Sequence, residues 1–242
     1  LEAKVRYITA SLRALLLMAT ALLLVSCGNN KANSVISQLS GETMGTFWHV
    51  RLAAPLDAPA QAALQRRIDV ALEAVNDSMS TYRDQSELMR FNHSTATTPQ
   101  PVSDGMRRVV GKALEISAQS DGVYDITIGP LVNLWGFGPI KRQDKPADSE
   151  IAEALQHVGY GKLQLTDAGL AKSDPQVFID LSSIAKGYGV DVVAETLLDA
   201  GYTNFIVEIG GEVRASGSKY GAPWRVGIER PEQGLATGEG VE

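Results

Sequence analysis

Within nine residues, Asp180-Leu181-Ser182-Ser183-Ile184-Ala185-Lys186-Gly187-Tyr188 places a carboxylate, two hydroxyls, an ammonium and, at Gly187, a residue without a side chain. Val177-Phe178-Ile179 before it reads as a short buried strand, and Val190 to Leu198 after it as an amphipathic helix, so the cluster falls at a strand-to-helix junction. Backbone N–H groups at a helix start attract anions. Lys186 would add a point charge for phosphate oxygens, and Asp180 could accept a ligand hydroxyl or N–H, or help to order a cation. The same spelling also suits an ordinary helix cap, with Asp180 receiving the first N–H groups. Three more polar or glycine-rich clusters sit where elements end: Gly41 to Thr46, Ser80-Thr81-Tyr82, and Asp121 to Pro130. Tyr82 and Tyr124 could lie against a flat aromatic ligand, and Met44 offers a polarizable side chain for the same purpose, although each also suits core or turn packing.

The N-terminus carries an address. Lys4, Arg6 and Arg13 precede an apolar run from Ala14 to Val25, which closes on Leu24-Val25-Ser26-Cys27. This pattern is a secretory signal with a lipobox. Its apolar run, about a dozen residues, falls short of the roughly 20 needed to cross a bilayer as a helix. Residues 1–26 are therefore expected to be removed, leaving Cys27, the only cysteine of the chain, as the site of diacylglycerol attachment. Residues 27–40, rich in Asn, Ser and Lys, read as a flexible tether, and 41–242 as the globular domain. The expected location is the bacterial cell envelope, lipid-anchored and periplasm-facing. The chain opens on Leu1, so its true start is expected to lie upstream. The whole chain carries a formal net charge of −6, and removing the basic leader makes the rest more acidic, which argues against nucleic acid as a partner.

Helix and strand signals do not simply alternate along the domain. Thr46 to Leu52 alternates as a strand, whereas Ala63, Leu64, Ile68, Ala71, Leu72 and Val75 recur at helical spacing within Ala58 to Met79. A second helix is predicted over Met106 to Ser120, capped by Ser103 or Asp104 and ended at Asp121-Gly122, and a third from Ser149 towards Gly159. Lys162 to Leu165 and Gly169 to Lys172 read as a hairpin. Asn204 to Ile209, Gly211 to Gly217 and Trp224 to Glu229 read as short strands of an antiparallel unit. The fold class is α+β, a mixed or antiparallel sheet with packed helices.

Taken together and in order, Glu42-Thr43-Met44-Gly45-Thr46, Ser80-Thr81-Tyr82, the run from Asp121 through Asp125-Ile126-Thr127 to Gly138, Asp180 to Tyr188, and Gly210-Gly211-Glu212 resemble the FAD:protein FMN transferases of the ApbE type. The resemblance spans about Gly41 to Arg230, and the Asp125 to Gly138 run is its most specific part. It implies the flavinyltransferase fold and an enzyme that binds FAD with Mg²⁺. A threonine hydroxyl of a periplasm-facing redox protein would attack the FMN-side phosphorus, forming a phosphoester and releasing AMP. It also implies that Met44, Tyr82, Val123, Tyr124, Asp125, Asp180 and Lys186 contact FAD. Ser183 matches a position whose backbone carbonyl ligates Mg²⁺.

The family continues past the Trp224-Arg225-Val226 strand into a histidine-bearing segment and an Asp-and-Thr pair that completes the metal site, so the chain is expected to be C-terminally incomplete. No residue of the chain is assigned as catalytic, a role expected beyond residue 242. His49, His93 and His157 match no family histidine and read as surface or structural. The alternative is a lipid-anchored protein that binds or hydrolyses FAD without flavinylating a target. Either reading expects the loops to converge on one cleft shaped for a dinucleotide.

Overall fold

The computed structural model describes residues 35–228. The leader, Cys27 and the first part of the tether lie outside the described residues.

Four strands form an antiparallel sheet in the order β1-β2-β5-β6, with β1 at Ser37–Thr43, β2 at Thr46–Leu52, β5 at Phe205–Ile209 and β6 at Glu212–Ser216. In β2 the alternation is complete: Trp48, Val50 and Leu52 are buried while Phe47, His49 and Arg51 face outward. β5 buries Phe205, Val207 and Ile209 in the same way. β1 starts inside the stretch expected to be tether, so the tether ends before Ser37 and the domain begins earlier than Gly41. Only Leu39 and Thr43 of β1 are buried, the sparse apolar content of an edge strand.

The apolar face of this sheet meets two long helices. The first, α1 (Ala58–Met79), begins at Asp57, whose carboxylate accepts the Ala60 N–H, with Pro59 in the first turn. Leu64, Ile68 and Leu72 of α1 pack on the sheet together with Val190, Val193, Ala194 and Leu197 of α6 (Ala185–Asp199). The C-terminal half of α1 leaves that core and, through Val75 and Met79, joins a second one. This second core gathers Leu88 and Phe91 of α2 (Glu87–His93), Met106, Val109, Val110 and Ala113 of α3 (Asp104–Gln119), and Leu163 and Leu170 of the β3–β4 hairpin (Leu163–Thr166, Gly169–Lys172). Val177, Ile179 and Leu181 fill its centre. Two smaller helices, α4 (Gly129–Leu134) and α5 (Asp148–Leu155), stand against each other at its margin. No helix among the described residues is long and apolar enough to cross a membrane.

The α+β class, the long helices and the hairpins agree with the sequence. α3 is capped by Ser103, whose hydroxyl accepts the Met106 N–H, and it ends where Asp121 and Gly122 take positive φ. Differences are local. α2 and α4 are too short to leave a helical period in the sequence. Trp224 to Ile228 forms no strand; its indole instead donates to the Ser216 carbonyl at 2.9 Å. His157 lies in the turn after α5, not within a helix, and its Nδ1 meets the Asp174 carboxylate at 2.8 Å.

Asp174 also accepts from Lys162 Nζ at 3.2 Å and from the Gln176 N–H at 2.9 Å. The hydrogen bond from His157, helped by these donors, lowers its pKa from 3.8 to about 2. A depressed carboxylate pKa contributes stability that is complete above the unfolded value and is lost as pH falls through the folded one. Between pH 4 and pH 2, the melting temperature of the wild type should therefore fall more steeply than that of Asp174→Asn. Parallel slopes in a calorimetric pH series would contradict this assignment.

Candidate functional site

Both hairpin turns of the large sheet lie at one end. The β1–β2 connection is Met44-Gly45, with φ of 50° and 73°, and the β5–β6 connection is Gly210-Gly211, with φ of 54° and 99°. Two-residue loops with positive φ at both positions match the twist of the strands they join. Glycine takes that conformation at little cost; methionine does not, so Met44 is a strained residue at a site expected to hold a ligand. The antiparallel pairing of Trp48 with Ile209 brings the turns side by side, and the Gly210 N–H donates to the Phe47 carbonyl. The start of α6 closes over them. A Cβ on Gly189 would stand 3.0 Å from Met44 Cε, so that glycine leaves the room the methionine uses. Lys186 Nζ reaches Glu212 Oε1 at 3.0 Å and the Gly210 carbonyl at 3.4 Å.

The polar segment enters α6 from Val177–Ile179. Val177 and Ile179 are buried and Phe178 is half-buried, as expected of a strand, yet they belong to no ladder; Phe178 makes only an isolated parallel bridge to Ile128. The Asp180 N–H donates to the Ile126 carbonyl at 2.8 Å, and Asp180 Oδ1 accepts the Ser182 N–H at 2.8 Å. Asp180 therefore closes a local turn and does not cap the helix. α6 starts later, at Ala185, and its cap position, Ile184, makes no side-chain hydrogen bond. The carboxylate holds the shape of the segment, while the first N–H groups of α6 stay without a side-chain partner.

Tyr124 packs against the second core, and its hydroxyl meets Ser183 Oγ at 3.0 Å. That contact ties the two motifs together. The Ser183 carbonyl takes part in no hydrogen bond among the described residues. Asp125, expected to face FAD, is occupied internally. Its Oδ1 accepts from the Thr127 N–H at 2.8 Å and the Thr127 hydroxyl at 2.7 Å, and its Oδ2 accepts the Tyr160 N–H at 2.7 Å. Its first role is to fold the loop that presents Tyr124. Val123, 91% exposed, projects from that loop. Tyr82, 62% exposed, stands with the residues after α4, where its hydroxyl meets the Phe137 carbonyl at 3.3 Å.

Met44, Lys186 and the Gly210–Glu212 turn thus form one contact group, and Asp180, Ser183, Tyr124 and Asp125 a second, joined to it through the start of α6. Tyr82 and Val123 stand at the margin. A groove of about 790 Å³ runs elsewhere, between Ala71, Ala74 and Val75 of α1, Arg90 of α2, Gly105 of α3 and Tyr188 of α6. Among the described residues the two groups meet around the start of α6. A hard cation takes about six oxygen ligands. Among the described residues no group of three or more His, Cys, Asp or Glu is placed to hold a metal ion.

The sequence named Gly210-Gly211-Glu212 as a motif without assigning the Glu212 carboxylate, which holds Lys186 with one oxygen and buries the other, Oε2, without a partner. Asn92 and Lys172, which grip the segment before Asp180, gave no signal beyond a polar residue on an apolar helix face and a cation ending an apolar strand.

The ApbE family model matches residues 44–241. The chain belongs to the ApbE family. It is 44% identical over 217 residues to a protein of Vibrio cholerae named FAD:protein FMN transferase, an alignment covering 89% of this chain and 65% of the relative. A Haemophilus influenzae protein of the same name is 45% identical over 92% of this chain and 65% of its own length. Among solved structures, the flavin transferase ApbE of Vibrio cholerae superposes with a TM-score of 0.76 at 45% identity, covering 81% of this chain and 65% of that one. The apo flavinyl transferase ApbE of Pseudomonas stutzeri gives 0.75 at 36% identity, covering 81% and 66%. The fold is therefore the ApbE fold, and the chain spans 65% of the length of the first two relatives.

Removing the Asp125 carboxylate would strand two N–H donors and the Thr127 hydroxyl. Asp125→Ala should cost about 2–3 kcal/mol in unfolding free energy, the range for losing bonds to a charged acceptor. A denaturation midpoint equal to that of the wild type would show that the carboxylate is held for a ligand alone.

Proposed function

We propose that the whole protein moves the FMN half of FAD onto a threonine hydroxyl of an acceptor protein. The threonine oxygen bonds to the FMN-side phosphorus, the bond from that phosphorus to the bridging oxygen breaks, AMP departs with that oxygen, and the hydroxyl proton is lost. The observation that supports this most is the meeting of Lys186 and the start of α6 with the Gly210–Glu212 turn and Met44. Phosphoryl transfer is catalysed chiefly by positioning and by stabilising charge on phosphate oxygens. In this reading Lys186 exchanges its Glu212 partner for a pyrophosphate oxygen, the N–H groups at the start of α6 face the same anion, and Met44 and Tyr124 flank a flat ring system. Tyr82, Val123, Asp125 and Asp180 belong to the same FAD surface, Asp125 through the loop it folds.

Mg²⁺ is part of the proposal as a requirement of the full reaction, with the Ser183 carbonyl as one ligand. When bound, such a cation would offset charge on the pyrophosphate. The acceptors are proposed to be periplasm-facing redox proteins, and the protein to be held on the envelope by acyl chains on Cys27, a reading supported by the basic, apolar and lipobox order of residues 4–27.

The test is a transfer assay on the protein with FAD, Mg²⁺ and an acceptor domain. The expected product is an acceptor heavier by one FMN, with AMP released, and no adduct when Mg²⁺ is chelated. AMP without an adduct would favour FAD hydrolysis, and neither product would refute the proposal. Lys186→Ala and Asp180→Ala should each weaken FAD binding about tenfold, or about 1.4 kcal/mol, while leaving most of the melting temperature intact. Collapse of melting with unchanged affinity in the folded fraction would reduce both residues to structural roles. In cells, Cys27→Ser should lose labelled palmitate and membrane association; retention of both would exclude the anchor.

A further inference from the structure

Ile179 ends a buried extended segment whose backbone must be satisfied without a neighbouring strand. In an extended chain, alternate residues direct their N–H and C=O groups to opposite edges. On one edge, Phe178 and Asp180 turn towards Ile128 and Ile126. On the other, the Ile179 N–H donates to Asn92 Oδ1 at 2.8 Å, and Asn92 Nδ2 donates to the Ile179 carbonyl at 2.9 Å. The carboxamide of Asn92 thus reproduces the paired bonds of an antiparallel strand with one side chain.

Lys172 completes the grip. It is fully buried, and its Nζ donates to the Asn92 carbonyl at 3.0 Å and to the Val177 carbonyl at 3.1 Å, while lying 5.2 Å from the centroid of the Phe91 ring. These hydrogen-bond partners are backbone carbonyls, not a carboxylate, and burial lowers its pKa. A buried ammonium in contact with no carboxylate, its attraction to Asp174 acting only through space, is costly, and an apolar residue would fill the same space. What the ammonium adds is a link between α2 and the segment. Asn92 holds Ile179 and Lys172 holds Val177, so the three-residue segment is gripped at both ends, immediately before Asp180.

We propose that Asn92 and Lys172 are positioning residues of the FAD site. They fix where Val177–Ile179 lies along α2, and through it the placement of the Asp180 turn, the Ser183 carbonyl and Lys186. Neither residue touches the ligand; both act through the backbone they hold. The inference rests on the FAD reading of that surface, and its test separates the two.

The variants are Asn92→Asp, which keeps the acceptor for the Ile179 N–H but loses the donor to its carbonyl, and Lys172→Met, which keeps an unbranched side chain without the ammonium. Each is made in the full chain and measured at a temperature where circular dichroism shows it folded. Two readouts are taken: backbone amide resonances of Asp180, Ser182 and Ser183 without ligand, and FAD affinity by flavin fluorescence. Both variants should shift those resonances and weaken FAD binding about tenfold. Unmoved resonances, or affinity within twofold of wild type despite a lowered melting temperature, would overturn the positioning role and leave ordinary core residues. A wild type that binds no FAD, with the resonances still shifted in the variants, would sink the FAD reading and keep the grip.

Discussion

A buried peptide group without a hydrogen-bond partner costs about 1–3 kcal/mol. The segment Val177–Asp180 runs through the second core with no strand beside it, so it could carry several such groups at once. Ile126 satisfies one edge; Asn92 and Lys172 satisfy the other. Side-chain donors and acceptors at fixed positions admit one register, whereas a ladder of identical peptide units can slip. Every polar residue from Asp180 to Lys186 inherits its place from that register.

From this fixed point the site spreads outward by contacts that are cheap to rearrange. Lys186 is bound to a carboxylate that is itself only half satisfied, Tyr124 shares a hydroxyl contact with Ser183, and Met44 occupies the space Gly189 leaves. The Lys186–Glu212 pair is partly exposed, and such pairs contribute little to stability, so its exchange for an anion, as proposed, would cost the fold little. The rigid part lies beneath and the exchangeable part lies above. That division suits the proposed role, a surface that would admit a large dinucleotide and release a smaller nucleotide.

Much of the fold could be read from the sequence because its elements carry strong local signals. α1 and α3 show helical periods over many residues, and β2 alternates cleanly beside a turn containing glycine. Ser37 to Ser40, the first four residues of β1, read as tether because they are polar but for Leu39, the one buried residue among them. Trp224 to Ile228 alternates like a strand, yet strand formation needs a partner, and local pattern does not show one. The site followed the same division. The motif residues were visible, but their bonds are long-range: Asp180 looked like a cap and closes a turn, Asp125 looked ligand-facing and binds Tyr160, and Lys186 is met by a carboxylate 26 residues away. Asn92 acts across 87 residues of sequence, a distance no periodicity reports.

The central claim is that the start of α6 and the two adjoining turns form the FAD surface. Hydrogen–deuterium exchange of the protein with and without FAD measures it directly. The account predicts slowed exchange at Ser182 to Gly187, Met44 to Thr46 and Gly210 to Glu212. Protection confined to the groove between α1, α3 and α6, around Ala71 to Val75 and Gly105, with those turns unchanged, would contradict it.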